Sequence, residues 1–111
     1  MTTQVYEITE ETTEVVINIR EKGLGKFLEF AFDGALGGGS IDIYRRFLAQ
    51  DNSTLAEIPM TFSAASQNLA QITQDSIAGM AFEGLIPESD IVFKPNGSGI
   101  TGTLYILGIS A

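Results

Sequence analysis

The residues best placed to do chemistry in this chain are carboxylates. Glu29 and Asp33 sit in one alternating run and Asp42 in the next. Glycoside hydrolysis needs two carboxyl groups across a cleft, one as acid and one as base or nucleophile. If the two runs are neighbouring strands, these side chains can face one another. The same alternation also puts them on the wet face, where a carboxylate is simply solvated, and that is the reading adopted. Eight serines are present, but histidine and cysteine are both absent. No Ser-His or Cys-His pair can form, and the commonest transition-metal ligand is missing. A Ser-Lys pair would draw on only three lysines, and no motif marks one. The sequence therefore assigns no catalytic residue, cofactor or metal site, and it predicts a protein that is not an enzyme.

Three further clusters have a possible chemical meaning. Gly34-Ala-Leu-Gly-Gly-Gly-Ser40 holds four glycines in six positions. A phosphate cradle needs a Gly-Lys-Ser/Thr ending and a following helix. Here a strand pattern follows, so the glycines are expected to permit positive φ in a hairpin. Asp51-Asn-Ser-Thr54 has closely spaced oxygens but lacks the register of a calcium loop, and it reads as a turn. Tyr44-Arg45-Arg46 is the most interaction-like group, since Tyr and Arg favour the centres of interfaces. In a strand the two guanidiniums point to opposite faces. The one on the apolar side is expected to need a carboxylate partner, while the other stays in solvent. The cluster equally fits an edge-strand charge pair that discourages aggregation.

The elements that position these groups are mostly strands. Val15, Ile17 and Ile19 share one face of a first run, and Lys22-Gly-Leu-Gly25 breaks it. Leu28, Phe30 and Phe32 should point to a core, with Phe27, Glu29, Ala31 and Asp33 away from it. Ile41, Ile43 and Arg45 alternate with Asp42, Tyr44 and Arg46. Short runs follow at 55–58 and 60–62. Residues 64–77 admit a strand, through Ala70 and Ile72, or a short helix capped by Ser63 or Ser66. Residues 78–83 read as a strand with Met80 and Phe82 on one face. Ile86-Pro87 marks an edge or loop, and 90–95 is a strand closed by the turn Pro95-Asn-Gly-Ser-Gly99. The last run, 100–109, is apolar on both faces from Leu104 onward. Such a strand is central in a sheet or lies in a subunit interface. About eight strands without a convincing helix predict an all-β antiparallel β-sandwich or jelly roll. Residues 1–14 read as an extended arm ahead of a single domain over 15–111.

Composition bounds the partners. A chain of 111 residues supports one domain, which hides roughly 65% of its unfolded surface. The net charge of −8 should repel phosphate backbones, so nucleic-acid binding is not expected. The N-terminus lacks the basic-then-apolar pattern of a signal peptide, and the tract Leu104–Ile109 is far too short to span a bilayer. The expectation is a soluble protein made in a cytoplasm, without a membrane partner.

The order of elements carries a resemblance. A glycine-flanked strand pair leads to Ile41-Asp-Ile-Tyr44, a polar turn, Leu55-Ala-Glu-Ile-Pro59 and Thr61-Phe-Ser63. A proline-marked Ile86-Pro-Glu-Ser-Asp-Ile-Val-Phe93 then precedes Gly97-Ser-Gly-Ile-Thr-Gly-Thr-Leu-Tyr-Ile106. Over about residues 27–109 this cadence resembles small β-sandwich structural proteins of tailed bacteriophages. The segment 64–82 is longer than that cadence, and the acidic arm is extra. The resemblance implies a virion component, a capsid cement (decoration) protein that stabilises the lattice of a major capsid protein. The alternative is a tail or fibre part that binds a carbohydrate or receptor. No residue role carries over, because such proteins act through surface. On this reading the chain forms a homo-oligomer, a homotrimer. The expected interface residues are Val5, Tyr6 and Ile8 of the arm, Tyr44, Arg45 and Arg46, and Tyr105, Leu107 and Ile109 of the last strand.

Overall fold

The computed structural model describes residues 3–18, 27–64, 67–82 and 89–110. It leaves out the side chains of Phe27, Ala81, Phe82, Ile109 and Ser110. The expectations for Ile19, for the break at Lys22–Gly25, for Ser66 as a cap and for Ile86-Pro87 fall outside the described residues, as do those for the side chains of Phe27, Phe82 and Ile109.

Among the described residues every regular element is a strand. In chain order they are β1 (Gln4–Ile8), β2 (Val15–Asn18), β3 (Phe27–Ala35), β4 (Ser40–Leu48), β5 (Thr54–Pro59), β6 (Phe62–Ala64), β7 (Gln67–Leu69), β8 (Gln71–Ile72), β9 (Ser76–Phe82), β10 (Ser89–Asn96) and β11 (Thr101–Ser110). The ambiguous stretch at 64–77 is thus built from short strands. Ile72 is fully buried against Ile41, while Gln71 beside it faces outward.

The pairings among the described residues are antiparallel, and four of them are nested. β4 pairs with β5, β3 with β9, β2 with β10 and β1 with β11. Successive nested pairs fall in opposite sheets, which is the winding of a jelly roll. The first sheet runs β1-β11-β3-β9-β6-β7; the second runs β2-β10-β4-β5, with β8 on the free stretch of β4. β6, β7 and β8 are additions to the eight principal strands.

This winding corrects the expected hairpin at 34–40. β3 and β4 belong to different sheets, so the glycine loop is a corner that carries the chain across the sandwich. Gly39 N–H donates to the Leu36 carbonyl at 2.9 Å, closing a turn whose central Gly37 and Gly38 have φ of 59° and 86°. Positive φ at two successive positions is costly for any residue with a Cβ. Local sequence specified the turn, but it could not specify which sheet received the next strand.

The core fills the space between the sheets. Leu28, Phe30, Phe32, Leu104 and Ile106 project from the first sheet, and Ile17, Ile41, Ile43, Ile91 and Phe93 from the second, all at most 2% exposed. Each such side chain contributes about 1.5–3 kcal/mol on burial. Phe30 is central: its ring meets Phe62 at 5.2 Å and Phe93 at 5.3 Å, both edge-to-face. Gly34 and Gly102 lie opposite each other on β3 and β11. A Cβ on Gly34 would come within 2.2 Å of the Thr101 carbonyl oxygen and 3.0 Å of the Phe32 ring. The two glycines let the backbones close up beneath that ring.

Within the expected arm, residues 4–8 form a strand that pairs along β11 of the same chain, and Thr12 N–H donates to the Thr9 carbonyl at 3.0 Å to close a turn after it. Ile8 is buried in the core and Tyr6 packs against it. β11 lies between β1 and β3, so its two-faced apolar character belongs to a central strand.

Candidate functional site

The sandwich presents two outer faces, and five of the expected interface residues, Val5, Tyr44, Arg46, Tyr105 and Leu107, divide between them. On the first sheet, alternation sends Val5, Tyr105, Ala31 and Ala78 outward in one cross-strand row, because Val5 opposes Tyr105, Tyr105 opposes Ala31, and Ala31 opposes Ala78. Val5 is 55% exposed. The two alanines keep the row low, so the Tyr105 ring stands beside a flat apolar strip. Leu107 is 40% exposed and is the extra residue of a bulge between Ile106 and Gly108. One step along the strands runs a polar row, Glu7–Thr103–Asp33–Ser76. Thr103 Oγ1 donates to Glu7 at 3.3 Å and Ser76 Oγ to Asp33 at 2.8 Å.

The outer face of the second sheet is organised differently. Arg46 Nη2 lies 2.9 Å from Glu14 and 2.6 Å from Glu57, and Lys94 Nζ lies 2.6 Å from the other oxygen of Glu57. Lys94 also sits 5.0 Å from the centre of the Tyr44 ring. Val92 opposes Tyr44 and is fully buried even though it belongs to this outer face. The charged side chains and Tyr44 form a roof over it, with apolar stems inward and heads paired in solvent. The Lys94 hydrogen bond, with help from Arg46, holds the Glu57 carboxyl below its usual range. The bond to Glu14 is the main cause that raises the Arg46 guanidinium above its own.

The expectation for the arginine pair is reversed. Arg46, on the outer face, is the one with carboxylate partners. Arg45 points to the inner side, where the sequence pattern demanded a carboxylate, and instead lies 4.8 Å from the Phe47 ring centre. Its Nε is buried without a hydrogen-bond partner, and desolvation pushes its pKa down. A delocalised, weakly hydrated guanidinium is desolvated against an aromatic face at less cost than a compact ammonium. Beyond Ile43 the inner face of β4 runs out toward the rim of the sandwich, so Arg45 and Phe47 are half-buried there and not sealed in the core.

The carboxylates that could have made a cleft are kept apart. Glu29 and Asp33 are on the outer face of the first sheet and Asp42 on that of the second, so the thickness of the sandwich separates them. Asp42 accepts from Ser40 Oγ at 3.0 Å, Gln71 Nε2 at 2.7 Å and Asn96 Nδ2 at 3.2 Å, tying β4, β8 and β10 together. The Asp51–Thr54 turn is present as expected. Asp51 accepts from the Ser53 amide and hydroxyl, and Asn52 adopts φ 69°. No group of acidic residues suited to a metal ion occurs among the described residues.

No protein-family model, curated protein or solved structure matches this chain. Val5, Tyr105 and Leu107 come together on the first sheet, and Tyr44 and Arg46 on the second, whereas Tyr6 and Ile8 turn inward. Sequence reasoning missed Leu55 and Ile58, which are 69% and 52% exposed on β5. The signal was available: apolar residues three apart fall on opposite faces of a strand, so an edge strand cannot bury both. It also missed Glu57 and Glu14 as partners of Arg46, because 11 and 32 residues separate them from it.

Proposed function

We propose that this protein is a virion structural component, a capsid cement protein that binds and stabilises a lattice of major capsid protein and does no chemistry of its own. The observation that carries the reading is the spread of exposed apolar residues over opposite sides of one small jelly roll. Val5 and Leu107 lie on the first sheet, and Leu55 and Ile58 on the far rim of the second. A lattice-binding protein touches several neighbours at once, so its contacts must be broad and placed on more than one side. Contiguous apolar surface rimmed by polar residues marks protein contacts, and the row Val5, Tyr105, Ala31 and Ala78 is such a strip. The cadence over residues 27–109 supports the same reading. In this proposal the chain acts in the virion as a homo-oligomer, through surface alone. Co-sedimentation with emptied capsids from a phage carrying the gene tests it. Saturable binding that raises the temperature of capsid disruption is expected; absence of binding to any capsid overturns it.

One observation favours a second reading, a tail or fibre module for carbohydrate. Tyr105 stands beside a row of hydroxyl and carboxylate groups, Glu7, Thr103, Asp33 and Ser76, which is the pairing of ring and polar edge that sugars use. A glycan array separates the two: selective binding, abolished by Tyr105→Ser, would replace the cement reading.

A further inference from the structure

We infer that the free edge of β1 pairs antiparallel with β1 of a second copy of this chain, across a two-fold axis centred on Val5. Among the described residues five strands have a free edge: β1 and β7 in the first sheet, and β2, β5 and the two-residue β8 in the second. Open edges invite pairing unless something guards them. β7 is three residues long and β2 four. β5 is guarded by Pro59 at its end and by a register shift opposite Phe47 and Leu48. β1 has five residues with no proline and no bulge. Its one charged residue, Glu7, accepts from Thr103 on the neighbouring strand and so leans away from the edge.

Parity and charge then select the partner and the register. A two-fold axis joining two antiparallel strands stands perpendicular to the sheet, so outer faces stay outer and the axis must pass through a residue. A centre at Glu7 sets two carboxylates directly opposite, which is unfavourable. A centre at Tyr6 sets Val5 against Glu7. A centre at Val5 sets Val5 against Val5 and Thr3 against Glu7, a hydroxyl beside a carboxylate. Only this last register also makes the apolar row continuous, running Ala78, Ala31, Tyr105 and Val5 of one copy into the same residues of the other. The exposed Val5 finds its cover there, and both sandwiches extend one sheet. The contact is isologous, so it gives a dimer, in place of the trimer expected from sequence. It rests on the edge geometry and stands whether or not the chain binds capsids.

The absence of cysteine permits a clean test on the full chain. In the proposed register, residues at position 5 of the two copies lie about 4.5–5.5 Å apart, within disulfide reach. Those at position 7 are four residues out of register, roughly 14 Å apart. Under mild oxidation Val5→Cys should form a disulfide dimer and Glu7→Cys should not, while Thr3→Cys mixed with Glu7→Cys should give the heterodimer. Light scattering on the unaltered protein should find twice the chain mass. Dimerisation should strengthen at about 0.5 M salt, where screening over a few ångströms quiets the repulsion between two acidic copies. Val5→Lys alters an exposed side chain and should weaken dimerisation about tenfold or more. A monomer at high salt, equal cross-linking at positions 5 and 7, or a trimer without the position-5 disulfide would overturn the pairing. Capsid binding by such a monomer or trimer would leave the cement reading intact.

Discussion

The two outer faces of this jelly roll obey the same alternation, yet they end in opposite states. On the second sheet, Arg46, Lys94, Glu14 and Glu57 answer one another and roof over Val92. On the first sheet, Val5, Tyr105, Ala31 and Ala78 form a row with no such roof. Charges that satisfy each other inside one chain have little left to offer a partner. Apolar groups left in water gain by meeting one. Under the proposed function, the second face serves stability and the first serves recognition.

The strongest way to break the comparison is to remove what the faces share. Phe30→Ala empties the contact among Phe30, Phe62 and Phe93 and should cost about 3–5 kcal/mol; a single cooperative transition at lower urea would show both sheets depending on it. Next comes the arginine pair. Arg46→Met takes the guanidinium from Glu14 and leaves Glu57 with Lys94 alone, and should cost about 1–3 kcal/mol. Arg45→Met removes a guanidinium that has no carboxylate partner among the described residues and should be neutral or slightly stabilising, within about 1 kcal/mol. Equal losses from the two variants in urea melts would mean that the ion pairs of the second outer face add nothing to stability.

Acid probes the roof more gently. The folded Glu57 carboxyl titrates below its ordinary value of 4.5. Its stabilisation is thus complete above that value and is lost as pH falls through the folded pKa. The urea midpoint should drop on acidification below about pH 4.5, and drop less steeply in Glu57→Gln. The smallest expected effect on stability comes from the first face. Val5→Lys and Tyr105→Ser should each change unfolding free energy by about 0.5–1 kcal/mol or less, while they sharply weaken association with capsids. Matching losses of stability and binding would mean that the row serves the fold and not a partner.

The strands were legible because alternation needs only near neighbours. Leu28, Phe30 and Phe32 face the core, Ile41 and Ile43 do so too, and Glu29 and Asp33 stay wet. What escaped was set by partners far along the chain. Nothing near Asp33 or Asp42 announces that a corner puts them on opposite sheets. Nothing near Arg45 and Arg46 says which has acids within reach, since Glu14 and Glu57 arrive from other strands. Ile8 looked like part of a loose arm because its shelter is supplied by the far end of the chain; the residue opposite it is Gly102.

The closing of β1 on β11 has a mechanical consequence. Gln4 lies opposite Ile106 and Ile8 opposite Gly102, so the outer ends of the first and last strands leave the molecule at the same place. A force drawing the two ends apart loads one rung of that ladder at a time, as in opening a zip, and peels the seam at low tension. A load that slides the two strands past each other along their length meets all the rungs at once and is resisted by the whole ladder.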